Sequence, residues 1–162
     1  MKKLLKPSRV FFILIFFNSV HSQACDSDKR FVLNNDGTVT DTTTNLMWQS
    51  CQIGFSGEQC EIGYSKSYNW QQGTDIANDN KLAGFNDWRI PNKEELITLV
   101  DKNCGIPSIN AHYFPNTSTI KFWSNDIHET YPEYAWMVGF IVGHVTFGKR
   151  TNYGGVRLVR SL

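Results

Sequence analysis

The chain has 162 residues, with 16 Lys and Arg against 15 Asp and Glu, a formal net charge of +1. That length builds one domain with a real core and not two ordinary ones. A hydrophobic fraction of 41% with 19% charged residues excludes a wholly disordered chain, and the near-neutral total argues against nucleic-acid binding.

Residues 1–22 read as a signal peptide. Lys2, Lys3, Lys6 and Arg9 form a basic start, and Val10 to Phe17 is an apolar run of eight, too short to span a bilayer as a helix. Cleavage after Ser22 or after Ala24 both fit. Cys25 after Ala24 also allows a lipoprotein reading, which Ser22 disfavours. The expected product is exported (periplasmic, surface-bound or secreted) and not an integral membrane protein. Residues 23–162 form a single domain. Without the signal the net charge is −3, and residues 134–162 hold Lys149, Arg150, Arg157 and Arg160 with no acid.

Cys25, Cys51, Cys60 and Cys104 are an even set, as expected for two disulfides in an exported chain. Three pairings exist. Cys51–Cys60 would close a short polar loop and leave Cys25–Cys104. A zinc site is disfavoured, because no Cys-x-x-Cys occurs and the histidines lack ligand spacing.

In chain order, residues 31–48 read as a hairpin: Phe31–Leu33, the turn Asn34-Asn35-Asp36-Gly37, Thr38–Thr40, a second turn over 41–45, then Leu46–Trp48. Residues 51–64 read as a loop. Residues 67–82 read as an imperfect helix with Ser67 as candidate cap and Gly73 weakening it. Lys93 to Asp101 is the clearest helix. Asn92 and Glu95 form a capping box, and Leu96, Leu99 and Val100 lie on one face. Residues 102–121 are loop-like. Strands are expected at Phe122–Ser124, Tyr134–Val142, Val145–Phe147 and Val156–Arg160. The fold class is α+β with an antiparallel sheet.

Asp36–Asp41 with Leu46–Gln49, then Gly84 to Leu96 (Gly-Phe-Asn-Asp-Trp-Arg-Ile-Pro-Asn-Lys-Glu-Glu-Leu), and later Phe122–Ser124, Ala135-Trp136 and Val156–Arg160 resemble, in order, the Lcl C-terminal domain family. That family takes its name from the end of Legionella collagen-like adhesins. The central block is also similar to the Arg-aliphatic-Pro-x-x-x-Glu stretch of formylglycine-generating-enzyme-like folds. The resemblance implies a C-type-lectin-like fold, two helices flanking a twisted antiparallel sheet. It also implies an adhesin-like module that binds sulfated glycans. The chain has no collagen-like repeat, and no cysteine after residue 104 corresponds to the enzyme branch's redox pair.

Lys149, Arg150, Arg157 and Arg160 are the candidate ligand-binding residues, since guanidinium forks suit sulfates and carboxylates. Trp48, Trp88, Trp123 and Trp136 are expected in the core, and Arg89 is expected to pair with Asp87 or Glu95 beside Pro91. No cofactor is expected. Calcium at Asp26, Asp28, Asp36 and Asp41, or at Asp126 and Glu129, is a minor alternative to turn-forming acids. His112, His128 and His144 accompany no catalytic motif. The leading expectation is a binding module for anionic glycans or envelope polymers. A structural or assembly protein of the envelope that binds a protein partner comes next, and an enzyme last.

Overall fold

The computed structural model describes residues 29–162. The expected signal peptide over 1–22, its expected cleavage site, Cys25, Asp26 and Asp28 lie outside the described residues.

The expected hairpin forms as a meander. Strands β1 (Phe31–Leu33), β2 (Thr38–Asp41) and β3 (Leu46–Gln49) pair antiparallel. Both turns use acid side chains to hold backbone N–H groups. Asp36 Oδ1 accepts from the Thr38 N–H at 3.0 Å, and Asp41 Oδ1 accepts from the Thr43 N–H at 3.0 Å. Asn35 and Asn45 take the positive φ each turn needs, a conformation Asn tolerates well. The last strand, β9 (Val159–Ser161), completes this sheet beside β3, giving the order β1-β2-β3-β9. Between them lie a two-stranded ribbon, β4 (Phe55–Ser56) with β5 (Ile62–Gly63), and a three-stranded sheet of β6 (Lys121–Ile127), β7 (Tyr134–Gly139) and β8 (His144–Lys149). The expected single sheet is thus three antiparallel sheets. Isolated bridges Arg89–Val159 and Phe122–Gly155 join elements across them.

Boundaries differ from the periodicity reading in several places. The helix expected over 93–101 ends at Thr98, the 51–64 loop carries the β4–β5 ribbon, and β6 and β8 run beyond 122–124 and 145–147. The 67–82 helix is α1 (Trp70–Asp79), capped by Asn69 rather than Ser67; the Asn69 side chain accepts from the Gln72 N–H, and Gln72 reaches back. The expected strand 134–142 ends at Gly139, and residues 140–143 turn into β8. The expected strand 156–160 starts only at Val159, because Leu158 and Val156 give their carbonyls to the N–H groups of Gln49 and Ile53 instead of to a ladder. Helix α2 (Lys93–Thr98) carries the expected capping box.

Alternation in β3 and β6 divides the core. Leu46, Trp48 and Phe122 join one cluster with Leu96, Leu99, Phe114 and Val159. Met47 and Trp123 join another with Ala77, Trp88, Ile90, Met137 and Val156. Side chains of this size contribute about 1.5–3 kcal/mol each when buried. Gly73 is explained by the second cluster. A Cβ there would meet Val156 Cγ2 at 2.9 Å and Ile90 Cδ1 at 3.3 Å. Gly73→Ala should therefore lower stability despite a helix-propensity gain of about 1 kcal/mol, since overpacking costs about 1–3 kcal/mol. Chemical denaturation checks this; a more stable variant would show that the helix can shift freely.

Cys51–Cys60 is a disulfide, as the loop spacing implied. Cys104 is also disulfide-bonded, and its expected pairing with Cys25 reaches outside the described residues.

Candidate functional site

The four basic candidates do not form one surface. Arg157 is fully buried. Its Nη1 donates to the carbonyls of Gln49 (2.9 Å) and Ser50, and its Nη2 to Thr117 Oγ1 at 2.8 Å. Its guanidinium lies 5.0 Å from the Phe114 ring centre. Burial pushes its pKa down to about 9, so it remains charged at neutral pH. The expectation that Arg157 contacts a ligand is corrected. The segment 156–158 is hydrogen-bonded to Gln49 and Ile53, and the carbonyls of Gln49 and Ser50 face the Arg157 side chain. Arg160 lies over Phe85 at 4.0 Å and is bound to Asp87, whose carboxyl it holds below the usual range. Arg150 stacks on Trp70 at 4.1 Å. Lys149 is exposed, 6.0 Å from the Tyr134 ring.

Lys149 borders an aromatic platform on the β6–β7–β8 sheet. On β7, Tyr134 and Trp136 point to one face, while Ala135 and Met137 point into the second core cluster. Phe147 of β8 lies opposite Trp136 in the register. His128, just after β6, stacks on Trp136 at 5.2 Å and 13°, and meets Phe147 edge-on at 4.6 Å. Tyr131 packs on His128 and Tyr134. Phe147 is 44% exposed and Tyr131 51%. Lys93, the first residue of α2, holds its ammonium 4.4 Å over the Trp136 ring. The Glu129 backbone N–H, more than the nearby His128 and Lys93, keeps the Glu129 carboxyl below its usual range. Trp48, Trp88 and Trp123 are in the core as expected. Trp136 is only half-buried, a correction that follows from its place on the outward face of β7.

The Gly84–Leu96 block is a structural joint. Arg89 clamps Glu95 through two bonds of 2.7 Å, and its backbone pairs in both directions with Val159. Trp88 Nε1 donates to the Leu82 carbonyl at 3.1 Å. Pro91 is buried, and its carbonyl takes the Asn125 N–H at 2.9 Å. The block therefore ties α2 to β9 and to β6.

Apart from the platform, a concavity of about 840 Å³ lies between the β2–β3 sheet, the disulfide loop and the residues after α1, with Gln49, Phe55, Asn80, Leu82 and His112 among its walls.

A family model for the Lcl C-terminal domain matches residues 37–160. The chain belongs to the Lcl C-terminal domain family. No curated protein matches it. Family membership and the disulfide are consistent with an extracellular location and an adhesin-like module. Among the described residues, no helix is long and apolar enough to cross a membrane.

In this Lcl domain three of the acids weighed for calcium have other work. Asp36 and Asp41 hold turns, and Asp126 Oδ2 accepts the Lys93 N–H at α2. Among the described residues, no group of three or more His, Cys, Asp or Glu is arranged to hold a metal. His112, His128 and His144 lie on different elements; His112 edges Tyr113, and His128 belongs to the platform. The sequence reading missed Lys93, His128, Tyr131, Tyr134 and Phe147 as one group. The alternation Tyr134-Ala135-Trp136-Met137, read with a small or apolar residue turned inward each time, was the available signal.

Proposed function

We propose that this Lcl domain is an exported binding module that takes anionic, sulfated or carboxylated glycans on its aromatic platform. The observation that carries this reading is the juxtaposition of the exposed rings of Tyr131 and Phe147 with two lysines, half-buried Lys93 over Trp136 and exposed Lys149 beside Tyr134. A pyranose offers C–H groups to a ring face, and its sulfate or carboxylate meets a lysine at the edge. The acid-free end of the chain contributes Lys149 to this site. The C-type-lectin-like fold implied by the sequence resemblance belongs to the same reading.

A glycan array probed at low and physiological salt tests it, with Trp136→Ala and Lys149→Ala beside the parent. Trp136→Ala should weaken binding about tenfold or more. Lys149→Ala should flatten the salt dependence, because exposed charges act within about 8–10 Å at these ionic strengths. Absence of binding to every anionic glycan at low salt would sink the proposal. Binding of an envelope protein that is lost in Trp136→Ala would assign the platform to a protein partner instead.

A further inference from the structure

Strand β8 is an outer strand of the β6–β7–β8 sheet. Its register with β7 fixes which of its backbone groups are already used. The Arg150 N–H donates to the Glu133 carbonyl at 2.9 Å, and this pair continues the register of Tyr134 with Lys149. Hydrogen-bonded and non-hydrogen-bonded pairs alternate along an antiparallel ladder. His144, Thr146 and Gly148 therefore bond to β7, whereas Val145, Phe147 and Lys149 turn their N–H and C=O groups outward. The Lys149 carbonyl is taken by the Asn152 N–H at 2.8 Å. Among the described residues, no hydrogen bond covers the outward groups of Val145 and Phe147. The other sheet edges are short or covered. Strands β1, β4 and β5 have two or three residues each, the far side of β9 is bridged by Arg89, and that of β6 by Gly155. The six residues of β8 include no proline, and their register has no shift. Such an edge is a template for a further strand.

We propose that the β8 edge takes an extended acidic segment of another protein as a fourth, antiparallel strand. Main-chain bonds at Val145 and Phe147 hold the segment, and its alternate side chains decide which sequence is accepted. The side chains of Val145, Phe147 and Lys149 share one face of β8, and Phe147 and Lys149 meet Trp136 and Tyr134 there. Partner residues opposite these three place their side chains on the same face, with Cβ atoms about 4.5–5.5 Å away. An acid opposite Lys149 meets its ammonium, and a ring opposite Phe147 extends the aromatic row. An aliphatic residue opposite Val145 adjoins the first core cluster, on which Val145 packs. Because the added strand runs against β8, these residues come in the order acid-x-aromatic-x-aliphatic. Charge selects this partner. Lys149 is exposed and, among the described residues, has no ion pair. Residues 134–162 contain no acid, so a second copy of β8 brings nothing to pair with it. The proposal does not rest on glycan binding, which uses ring faces and not the strand edge.

Titration calorimetry on the full chain tests this with a capped peptide, acetyl-Thr-Glu-Thr-Tyr-Thr-Val-Thr amide. The peptide should bind below millimolar concentration and weaken as salt rises. Replacing its Glu by Lys should weaken binding about threefold or more, since opposite charges facing across strands attract and like charges repel. Methylating its Tyr nitrogen removes the bond to the Phe147 carbonyl and should cost about tenfold. Methylating the nitrogen of the Thr after Tyr, which faces away from β8, should cost no more than about twofold. Val145→Pro removes one outward N–H and no ladder bond, so it should weaken binding about tenfold with the fold intact by thermal unfolding. The two methylated peptides decide the question if Val145→Pro does not fold. No binding at millimolar concentration would overturn the proposal. So would equal losses from the two methylations, or undiminished binding of the Lys peptide. Dimerisation of the parent in sedimentation, abolished by Val145→Pro, would give the edge to a second copy of the chain and overturn it as well.

Discussion

Arg157→Ala should destabilise the domain by about 3–5 kcal/mol, measured by denaturant unfolding, and should do so without regard to any glycan. Three oxygens lose a charged donor: the carbonyls of Gln49 and Ser50 and the Thr117 hydroxyl. Hydrogen bonds to a charged group are worth about 1.5–3 kcal/mol each, and a buried acceptor left unpaired costs about 1–3 kcal/mol. The truncation also opens a cavity beside Phe114 and Phe122, where large-to-small changes cost about 2–5 kcal/mol. Relief from burying the cation offsets part of this sum. Arg157→Met should lose less than Arg157→Ala, because it fills the space and leaves no charge to desolvate. The opposite behaviour, an unaltered fold with lost glycan binding, would restore Arg157 to the ligand surface.

The error about Arg157 shows what the sequence could and could not display. Alternation in Val156-Arg157-Leu158-Val159-Arg160 places Arg157 and Val156 on opposite faces of a strand, which suggests a wet face for the arginine. The segment is not a strand until Val159, and both sides of it are covered. Covering depends on where residues 49–53 pass, a contact across more than a hundred residues that no local pattern encodes. Local signals fared better. The turn chemistry of Asn35, Asp36 and Asn45, the capping box of Asn92 and Glu95, and the short Cys51–Cys60 loop are decided within a few residues of chain. Gly73 lies between these cases. Its cost to the helix is local, while its reason, the approach of Val156 and Ile90, is tertiary.

The candidate sites follow the same division. Lys93 is legible as the start of α2, and Trp136 as an aromatic strand residue. Their meeting at 4.4 Å depends on α2 packing beside β7. The Gln49–Asn80 pair joins β3 to the end of α1 across 31 positions. The platform is therefore built on the joint made by Gly84 to Leu96, which holds α2 against the last strand.

That joint carries the second large prediction. Glu95→Ala should cost about 2–3 kcal/mol, because it removes the bidentate pair with Arg89 and the acceptor for the Asn92 N–H at 2.7 Å. A lost cap alone is worth about 1 kcal/mol, and the half-buried ion pair adds to it. The effect should depend on pH. Burial raises the Glu95 carboxyl, but the Arg89 guanidinium and the Asn92 N–H outweigh it, so the carboxyl sits below its ordinary value of 4.5. The folded state therefore holds Glu95 ionised more firmly than the unfolded chain does. Its stabilisation is fully present above about pH 4.5 and is lost as pH falls through the lower folded value. Denaturant midpoints taken from pH 7 down to pH 3 should converge for the parent and Glu95→Gln, with the parent falling further. Parallel curves would show that the pair contributes shape and not charge. Because α2 also positions Lys93 over Trp136, Glu95→Gln should also weaken platform binding.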